Sequence, residues 1–233
     1  MSEVEAQRAY YERTAANYDA MHVEEGDEHF RALDWLSTLI GQHRIHSLLD
    51  IGAGTGRAMQ YLKDRHPIRY LGIEPVEALR VAGHAKGIGE DELIEGDALD
   101  LKLADDSFDV VSEFGVLHHI KDHRRAVREM CRVASRGVFL SDSNNFGQGS
   151  PLARFVKQSI NAVGMWPTFD WVMTKGKGYH WSEGDGLFYS YSLINDLPVI
   201  RAKFPKLHFV STMACTGPDF YRHAPHLAVF ATR

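Results

Sequence analysis

The chain of 233 residues has few of the features that mark exported, membrane-spanning or metal-rich proteins. Its two cysteines, Cys131 and Cys215, have no metal-ligand spacing, so we expect free thiols in a reducing compartment. Its 13 histidines are scattered and form no His-Glu-x-x-His motif, so no metal site is expected. The sequence has no apolar run of about 18 residues and no signal or transit peptide, which predicts a cytoplasmic protein without a membrane partner.

A surplus of basic residues is also missing. The net charge is −5 and the isoelectric point is about 6.2, whereas a large phosphate-binding surface needs a clear basic excess. No nucleic acid partner is therefore expected, and nothing in the sequence indicates an oligomeric state. The length and a hydrophobic content of 44% suit one domain with appended pieces.

What the chain does contain is an alternation of short apolar segments with helix-like segments. This alternation predicts an α/β fold, in which a Rossmann-like, doubly wound and mostly parallel seven-stranded sheet has helices on both faces. The predicted strands are residues 46–51, 69–74, 91–95, 108–113, 137–142, 207–213 and 226–231. The predicted helices are residues 3–20, 27–43, 56–65, a segment that begins at Pro75, 122–134 and 193–203.

A glycine loop follows the first predicted strand. The sequence Gly52-Ala53-Gly54-Thr55-Gly56 separates that strand from a helix, as in α/β proteins that bring bare backbone against a nucleoside-containing ligand. A tight strand-to-helix turn without a ligand is the other interpretation. A dinucleotide fingerprint needs a glycine at the sixth place, and Arg57 stands there instead.

Candidate ligand-binding groups follow the next three predicted strands. Glu74 could accept hydrogen bonds from a ribose diol, and Asp97, in Gly96-Asp97-Ala98, could accept one from an adenine amine. Gly115 precedes His118 and His119, which we expect at the C-terminal edge of the sheet, where open α/β folds bind ligands. Each acid could instead be an ordinary polar residue at the end of a strand.

Together these segments resemble the class I S-adenosylmethionine-dependent methyltransferases, in particular the small-molecule branch with a Leu-His-His signature after strand four. The resemblance covers about residues 10–142. It implies an enzyme with S-adenosyl-L-methionine as cofactor, S-adenosyl-L-homocysteine as product and a small molecule as acceptor. One departure is Val133-Ala134-Ser135-Arg136-Gly137, where the family usually has Lys-Pro-Gly-Gly before strand five.

The resemblance also implies roles for individual residues. The backbone of Gly52, Ala53, Gly54 and Gly56 would lie along the methionine part of the cofactor, and Asp50 would help to hold its amino group. Glu74 would hold the ribose hydroxyls beside Pro75, and Asp97 would contact the adenine amine with Ala98 against the ring. The remaining contacts implied are Phe114 and Gly115 on the methionine side, and Tyr18 in an N-terminal segment over the cofactor.

Two groups are candidates for the acceptor side. His118 or His119 could remove a proton from a hydroxyl acceptor, because unperturbed histidine titrates near neutral pH. The alternative is that both histidines only fix their loop. Tyr179, His180 and Trp181 are the second group, since aromatic rings can stack on a ring-shaped acceptor, although they could simply pack against the core.

The predicted organisation is a single domain in four parts. Residues 1–45 form an N-terminal helical cap, 46–142 the cofactor-binding core, 143–192 an acceptor lid and 193–233 the closing helix and strands. The acceptor lid is a glycine- and aromatic-rich insertion after strand five, with one possible helix at 152–163. The acceptor could be a hydroxyl of a glycan or natural product. A catalytically silent methyltransferase-like subunit and a nicotinamide-dependent oxidoreductase are the alternatives.

Overall fold

The structure, a computed structural model, describes residues 3–19 and 27–233. The predicted first helix and N-terminal cap therefore extend in part outside the described residues. The strands are β1 Ser47–Ile51, β2 Arg69–Ile73, β3 Leu93–Ile94, β4 Phe108–Phe114, β5 Ala134–Ser143, β6 His180–Ser182, β7 Gly186–Phe188, β8 Lys206–Ser211 and β9 His226–Thr232. The α-helices are α1 Glu3–Thr14, α2 Glu28–His43, α3 Arg57–Lys63, α4 Glu77–Ala85, α5 His123–Val133, α6 Pro151–Ala162, α7 Trp166–Met173, α8 Leu197–Arg201 and α9 Phe220–His223.

Seven of these strands form the predicted sheet, in the order β3-β2-β1-β4-β5-β9-β8. The first five are parallel, and β9 runs antiparallel to both of its neighbours. Ile51 at the end of β1 pairs with Ile73 on one side and Glu113 on the other. The carboxyl ends of three strands therefore meet at one edge, and the residues that follow them come close together.

Helices cover both faces of the sheet, as predicted, because successive strand residues point to opposite sides. One buried cluster joins Leu48, Val110 and Phe139 to the apolar faces of α2 and α3. The other joins the neighbouring strand positions to α5 and to the segment around α8, with Leu49 and Val111 among its members.

Several predicted boundaries are wrong. Strand β3 has only two residues, and α4 begins at Glu77 rather than Pro75 because the Glu74 carboxylate accepts the amide of Val76 and turns the chain there. The helix predicted at 193–203 is a 3₁₀ segment, Leu193–Asp196, followed by α8, with Pro198 near the start of the α-helix. A proline is accepted in a first helical turn but interrupts a longer helix.

The insertion after β5 is more regular than the sequence indicated. The predicted helix at 152–163 is α6, which Ser150 caps by accepting the amide of Ala153 at 3.3 Å. Helix α7 and the antiparallel hairpin β6–β7 were not predicted. Both cysteines are free, and no helix in the described part of the chain is long and apolar enough to span a bilayer.

Candidate functional site

The glycine loop turns sharply from β1 into α3. Gly52, Gly54 and Gly56 have φ values of 65°, 57° and 78°, which side chains other than glycine rarely adopt. The amides of Gly52 and Ala53 both donate to the carbonyl of Ile73, at 2.8 and 3.0 Å. A Cβ on Gly52 would lie 2.5 Å from a methyl of Val116, so the loop and the segment after β4 approach closely only because this side chain is missing.

Glu74, directly after β2, holds the same loop through hydrogen bonds. Its side chain is only 5% exposed, and its two oxygens accept the amides of Gly54 and Val76, each at 2.9 Å. Burial raises the pKa of this carboxyl, while the two amides act in the opposite direction. Each carboxylate oxygen retains acceptor capacity toward the cavity described below, because it uses one bond of the two it can accept.

A cavity of about 460 Å³ opens at this edge of the sheet, within the range of ~300–1,000 Å³ that small-molecule sites occupy. Nine of the residues singled out from the sequence line it: Tyr18, Gly52, Glu74, Pro75, Asp97, Ala98, Phe114, Gly115 and His119. Eight do not line it: Asp50, Ala53, Gly54, Gly56, His118, Tyr179, His180 and Trp181.

Asp50 lies behind the loop rather than in the cavity. It is buried on β1 and accepts a hydrogen bond from the Ser112 hydroxyl at 2.9 Å. Burial raises its pKa to about 7, with the Ser112 bond acting in the opposite direction. In this arrangement Asp50 joins β1 to β4 beneath the glycine loop.

Helix α1 supplies part of the cavity wall that sequence reasoning missed. Its lining residues are Glu3, Val4, Gln7, Arg8 and Tyr11. The sequence predicted a helix in this segment, but no motif showed which of its side chains face a ligand. The three tyrosines at 10, 11 and 18 were the available signal: Tyr11 and Tyr18 line the cavity and contact each other edge to face, with ring centroids 5.9 Å apart.

The β6–β7 hairpin holds α1 over the sheet edge. Gln7 is the central contact, since its side-chain oxygen accepts the amide of Leu187 at 2.5 Å. The Tyr10 hydroxyl donates to the carbonyl of Glu183 at 2.7 Å, and the Tyr189 hydroxyl donates to Glu3 at 2.8 Å. The cavity roof is thus built from two segments far apart in sequence.

His118 belongs to an ion-pair network and does not line the cavity. Its Nδ1 lies 2.7 Å from Oδ1 of the buried Asp142, and its Nε2 lies 3.4 Å from Asp185. Burial disfavours the charged imidazole, but the two carboxylates outweigh it and raise the pKa of His118 well above its ordinary value. In turn His118 lowers the pKa of Asp142 to about 2, against the effect of burial. The two carboxylates therefore favour the protonated form of His118.

His119 lines the cavity and shares only Asp185 with His118. Its Nδ1 lies 2.6 Å from the carbonyl of Leu187, and its Nε2 lies 3.0 Å from the Tyr11 hydroxyl and 3.3 Å from Asp185. Burial and the neighbouring charge of His118 lower its pKa, although Asp185 acts in the opposite direction. In the neutral tautomer with a proton on Nδ1, that N–H donates to Leu187 and Nε2 accepts from Tyr11.

The aromatic trio of the insertion lies at the start of the hairpin and does not line the cavity: His180 and Trp181 belong to β6, and Tyr179 directly precedes it. Trp181 is half exposed and packs edge-on against Tyr10, with ring centroids 5.6 Å apart. The Nε2 atom of His180 lies 3.1 Å from Asp170. Contact of Tyr179 or of these two residues with an acceptor stays a prediction.

One group of metal-ligating side chains is present among residues 3–19 and 27–233. His118, His119 and Asp185 offer ligand atoms within 4.8 Å of one another. The hydrogen bonds and ion pairs described above already satisfy these atoms. His123, four residues after His119, points elsewhere and pairs with Asp196 at 2.7 Å.

Comparison with known proteins supports the class that the motifs indicated. Residues 49–141 match the family model described as a methyltransferase domain. The chain is 35% identical to norajmaline N-methyltransferase of Rauvolfia serpentina over 97 residues. This match covers 40% of the chain and 33% of the relative. It is 33% identical to the O-methyltransferase resE of Aspergillus sclerotiorum over 111 residues. This second match covers 46% of the chain and 40% of the relative. The matches thus span about a third to two fifths of these relatives.

Solved structures agree on the fold. The magnesium protoporphyrin IX methyltransferase ChlM of Synechocystis, solved with bound S-adenosylhomocysteine, superposes over 100% of both chains with a TM-score of 0.61 at 15% identity. The predicted Rossmann-like fold is therefore confirmed. The matches also support the predicted enzyme class and cofactor, S-adenosylmethionine.

Proposed function

We propose that this protein is an S-adenosylmethionine-dependent methyltransferase with a small-molecule acceptor. The observation that carries the proposal is the cavity at the sheet edge, where the glycine loop, Glu74 and Asp97 follow three successive strands of a matched methyltransferase segment. The curated relatives methylate nitrogen in one case and oxygen in another, by their names. They favour a small acceptor without deciding which atom receives the methyl group.

The cavity residues fit the cofactor. Ile73, Val76, Leu79 and Ala98 are apolar lining residues suited to an adenine ring, and Glu74 has free acceptor capacity for the ribose hydroxyls. Gly52 offers backbone without a side chain where the methionine part would lie. Asp50, Gly54 and Gly56 would act from behind by holding this loop in shape.

The wall formed by α1 would face the acceptor. Glu3, Gln7, Arg8 and Tyr11 place polar and charged groups of both signs along one side of the cavity, and Tyr189 continues that side. An acceptor with hydroxyl or amine groups could be oriented by such a wall. This supports a polar acceptor, such as a hydroxylated natural product or a glycan.

When bound, the cofactor supplies a methyl group on a sulfonium leaving group. The protein must align the acceptor with that methyl group and exclude water, and such alignment supplies up to ~7–11 kcal/mol in favourable systems. Helix α1 and the β6–β7 hairpin would do this by closing the cavity. The insertion would thereby act as the predicted lid through its hairpin.

His119 is the group placed to take a proton from the acceptor. It lines the cavity, its lowered pKa favours the neutral ring, and its Nε2 lies 3.0 Å from the Tyr11 hydroxyl. His118 is less suited, because it does not line the cavity and two carboxylates raise its pKa and favour its protonated form. An acceptor hydroxyl would displace Tyr11 from Nε2 or pass its proton through that hydroxyl.

The first experiment separates the candidate functions. Calorimetry should detect S-adenosylmethionine and S-adenosylhomocysteine binding and no NAD binding. The reverse result would overturn the proposal in favour of the nicotinamide-dependent oxidoreductase. Labelled methyl transfer to a panel of hydroxylated and amine acceptors then tests activity. Cofactor binding without transfer to any acceptor class would favour the catalytically silent alternative.

A second experiment tests His119. We expect His119→Gln to lower kcat by ~10²–10⁴-fold with saturating hydroxyl acceptor, as for loss of a general base, while S-adenosylhomocysteine affinity stays unchanged. The expected loss should shrink as the pH of the assay rises and the acceptor ionises by itself. An unchanged kcat would show that His119 is not the general base and only holds its loop.

A further inference from the structure

Helix α6 has its apolar stripe on the outside. At 100° per residue, Leu152, Phe155, Val156, Ser159 and Val163 fall within an arc of roughly 100°. Leu152 is 72% exposed and Phe155 is 67% exposed, whereas a surface helix ordinarily buries such a stripe against its own core.

The polar stripe of the same helix faces the protein. Gln158 donates to the carbonyl of Phe146 at 2.8 Å, and Asn161 donates to the Tyr221 hydroxyl at 2.8 Å. Lys157 donates to Asn145 from the same side. These bonds fix the rotation of α6, so its apolar stripe cannot turn inward without breaking them.

Helix α7, which contacts α6, adds a second set of exposed apolar residues. They are Met165, Phe169, Trp171, Val172 and Met173. We call these five residues, together with Leu152, Phe155, Val156 and Val163, the insertion surface. Scattered apolar residues are common on protein surfaces, but a run over two consecutive helices with no buried residue marks an interaction site.

The charge of this segment indicates its partner. Residues 151–178 contain four basic side chains and one acidic side chain, in a chain with a net charge of −5. Two of the four, Arg154 and Lys157, bond to Thr216 and Asn145. Lys175 and Lys177 are exposed directly after α7, and the single acid, Asp170, pairs with His180. Two copies joined through this surface would bring like charges together. An anionic lipid surface would instead match both the apolar residues and the lysines.

The sequence predicted no membrane partner from the lack of a spanning segment, which leaves binding at a membrane surface open. We propose that the insertion surface binds the interface of an anionic lipid bilayer, with α6 and α7 lying along it. The apolar side chains would enter the headgroup region while the two lysines contact lipid phosphates. Trp171 fits the same role, because tryptophan favours membrane interfaces. This inference is independent of methyl transfer, since lipid binding uses no residue of the cavity.

The test is flotation of the purified full chain with vesicles. We expect binding to equal parts of phosphatidylcholine and phosphatidylglycerol, weaker binding to phosphatidylcholine alone, and loss of binding as salt rises. Phe155→Ser combined with Val172→Ser should weaken binding by roughly tenfold or more. Val81→Ser is the matched control, because Val81 and Val172 are both 59% exposed and only Val172 belongs to the insertion surface.

Charge and self-association are tested in parallel. Lys175→Gln combined with Lys177→Gln should lower binding to the anionic vesicles by roughly tenfold, whereas Lys206→Gln should have no effect. Failure to bind either vesicle would overturn the proposal. So would a concentration-dependent dimer in light scattering that Phe155→Ser converts to monomer, because a second copy would then cover the surface.

Discussion

The glycine loop allows a prediction in which backbone strain and steric overlap are separated. Gly56 has φ 78°, and a Cβ added there would overlap the Cδ1 methyl of Ile88, which is buried. Gly164, in the insertion, has nearly the same φ, 75°, and a Cβ there would meet no atom within 4 Å. Gly164→Ala therefore reports strain alone, and Gly56→Ala reports strain plus overlap.

The expected losses of unfolding free energy follow from these two surroundings. A left-handed conformation costs a residue other than glycine about 1–2 kcal/mol, which is the whole effect expected for Gly164→Ala. Forcing a methyl group into a packed site adds about 1–3 kcal/mol, so Gly56→Ala should lose about 2–5 kcal/mol. Ile88→Val removes the overlapping methyl and alone costs about 0.5–1.5 kcal/mol. The double variant should therefore lose about 1–3 kcal/mol less than the sum of its parts.

Urea unfolding of the four variants and the unchanged chain measures these differences. A coupling free energy near zero between positions 56 and 88 would refute the argument, because it would mean that Ile88 does not set the limit at Gly56. Equal losses for Gly56→Ala and Gly164→Ala would refute it as well. A lower slope of unfolding free energy against urea in one variant would instead indicate a changed end state and would exclude that variant from the comparison.

Two further predictions concern buried carboxylates. Asp142→Asn should cost about 3–5 kcal/mol by leaving His118 without its buried partner. Because the pKa of His118 is raised and that of Asp142 is lowered, the pair stabilises fully between about pH 4 and 6.5. The loss should therefore shrink once the pH rises above the raised pKa of His118. Urea unfolding from about pH 5.5 upward measures it, and a loss that stays constant while NMR shows the imidazole of the unchanged chain deprotonating would contradict this. Glu74→Gln should weaken S-adenosylhomocysteine binding at least tenfold in calorimetry, against no change for the exposed Glu90→Gln; equal affinities would contradict the assigned role.

The sheet could be predicted from the sequence because each of its strands carries a local signal. Strand β1 is an apolar run that ends in a glycine loop, and β4 follows a turn of acidic residues. The hairpin β6–β7 and helix α7 escaped prediction because they are short and depend on distant partners. Three-residue strands gain little stability alone, and the contact that holds this hairpin is Gln7 on α1, about 180 residues earlier.

The cavity residues that follow the strands were predictable for the same reason, since glycines and acids at strand ends have a fixed place in this fold. The wall that α1 adds was not, because its sequence has no motif that shows which side chains face a ligand.

The exposed apolar stripe of α6 was not predictable either. A helical period shows where an apolar stripe lies, but not whether the stripe faces the core or solvent. The direction depends on Asn145, Phe146 and Tyr221, which bind its polar side, and no periodicity contains that information.

The two adjacent histidines show most clearly what the sequence leaves open. His118 and His119 are chemically identical and share one 3₁₀ segment, so residue type and position predicted the same role for both. Their surroundings give them opposite pKa shifts: Asp142 and Asp185 raise the pKa of His118 despite its burial, whereas burial and the charge of His118 lower the pKa of His119. His119 lies between the Leu187 carbonyl and the Tyr11 hydroxyl. Asp185 and Leu187 belong to the β6–β7 hairpin, more than 60 residues after the two histidines in sequence. If the hairpin and α1 separated from the sheet edge, His118 would lose one of its two carboxylates and His119 would lose both hydrogen bonds. The contacts of α1 and the hairpin that would exclude water from the cavity are therefore the same contacts that would determine the pKa values of the two histidines.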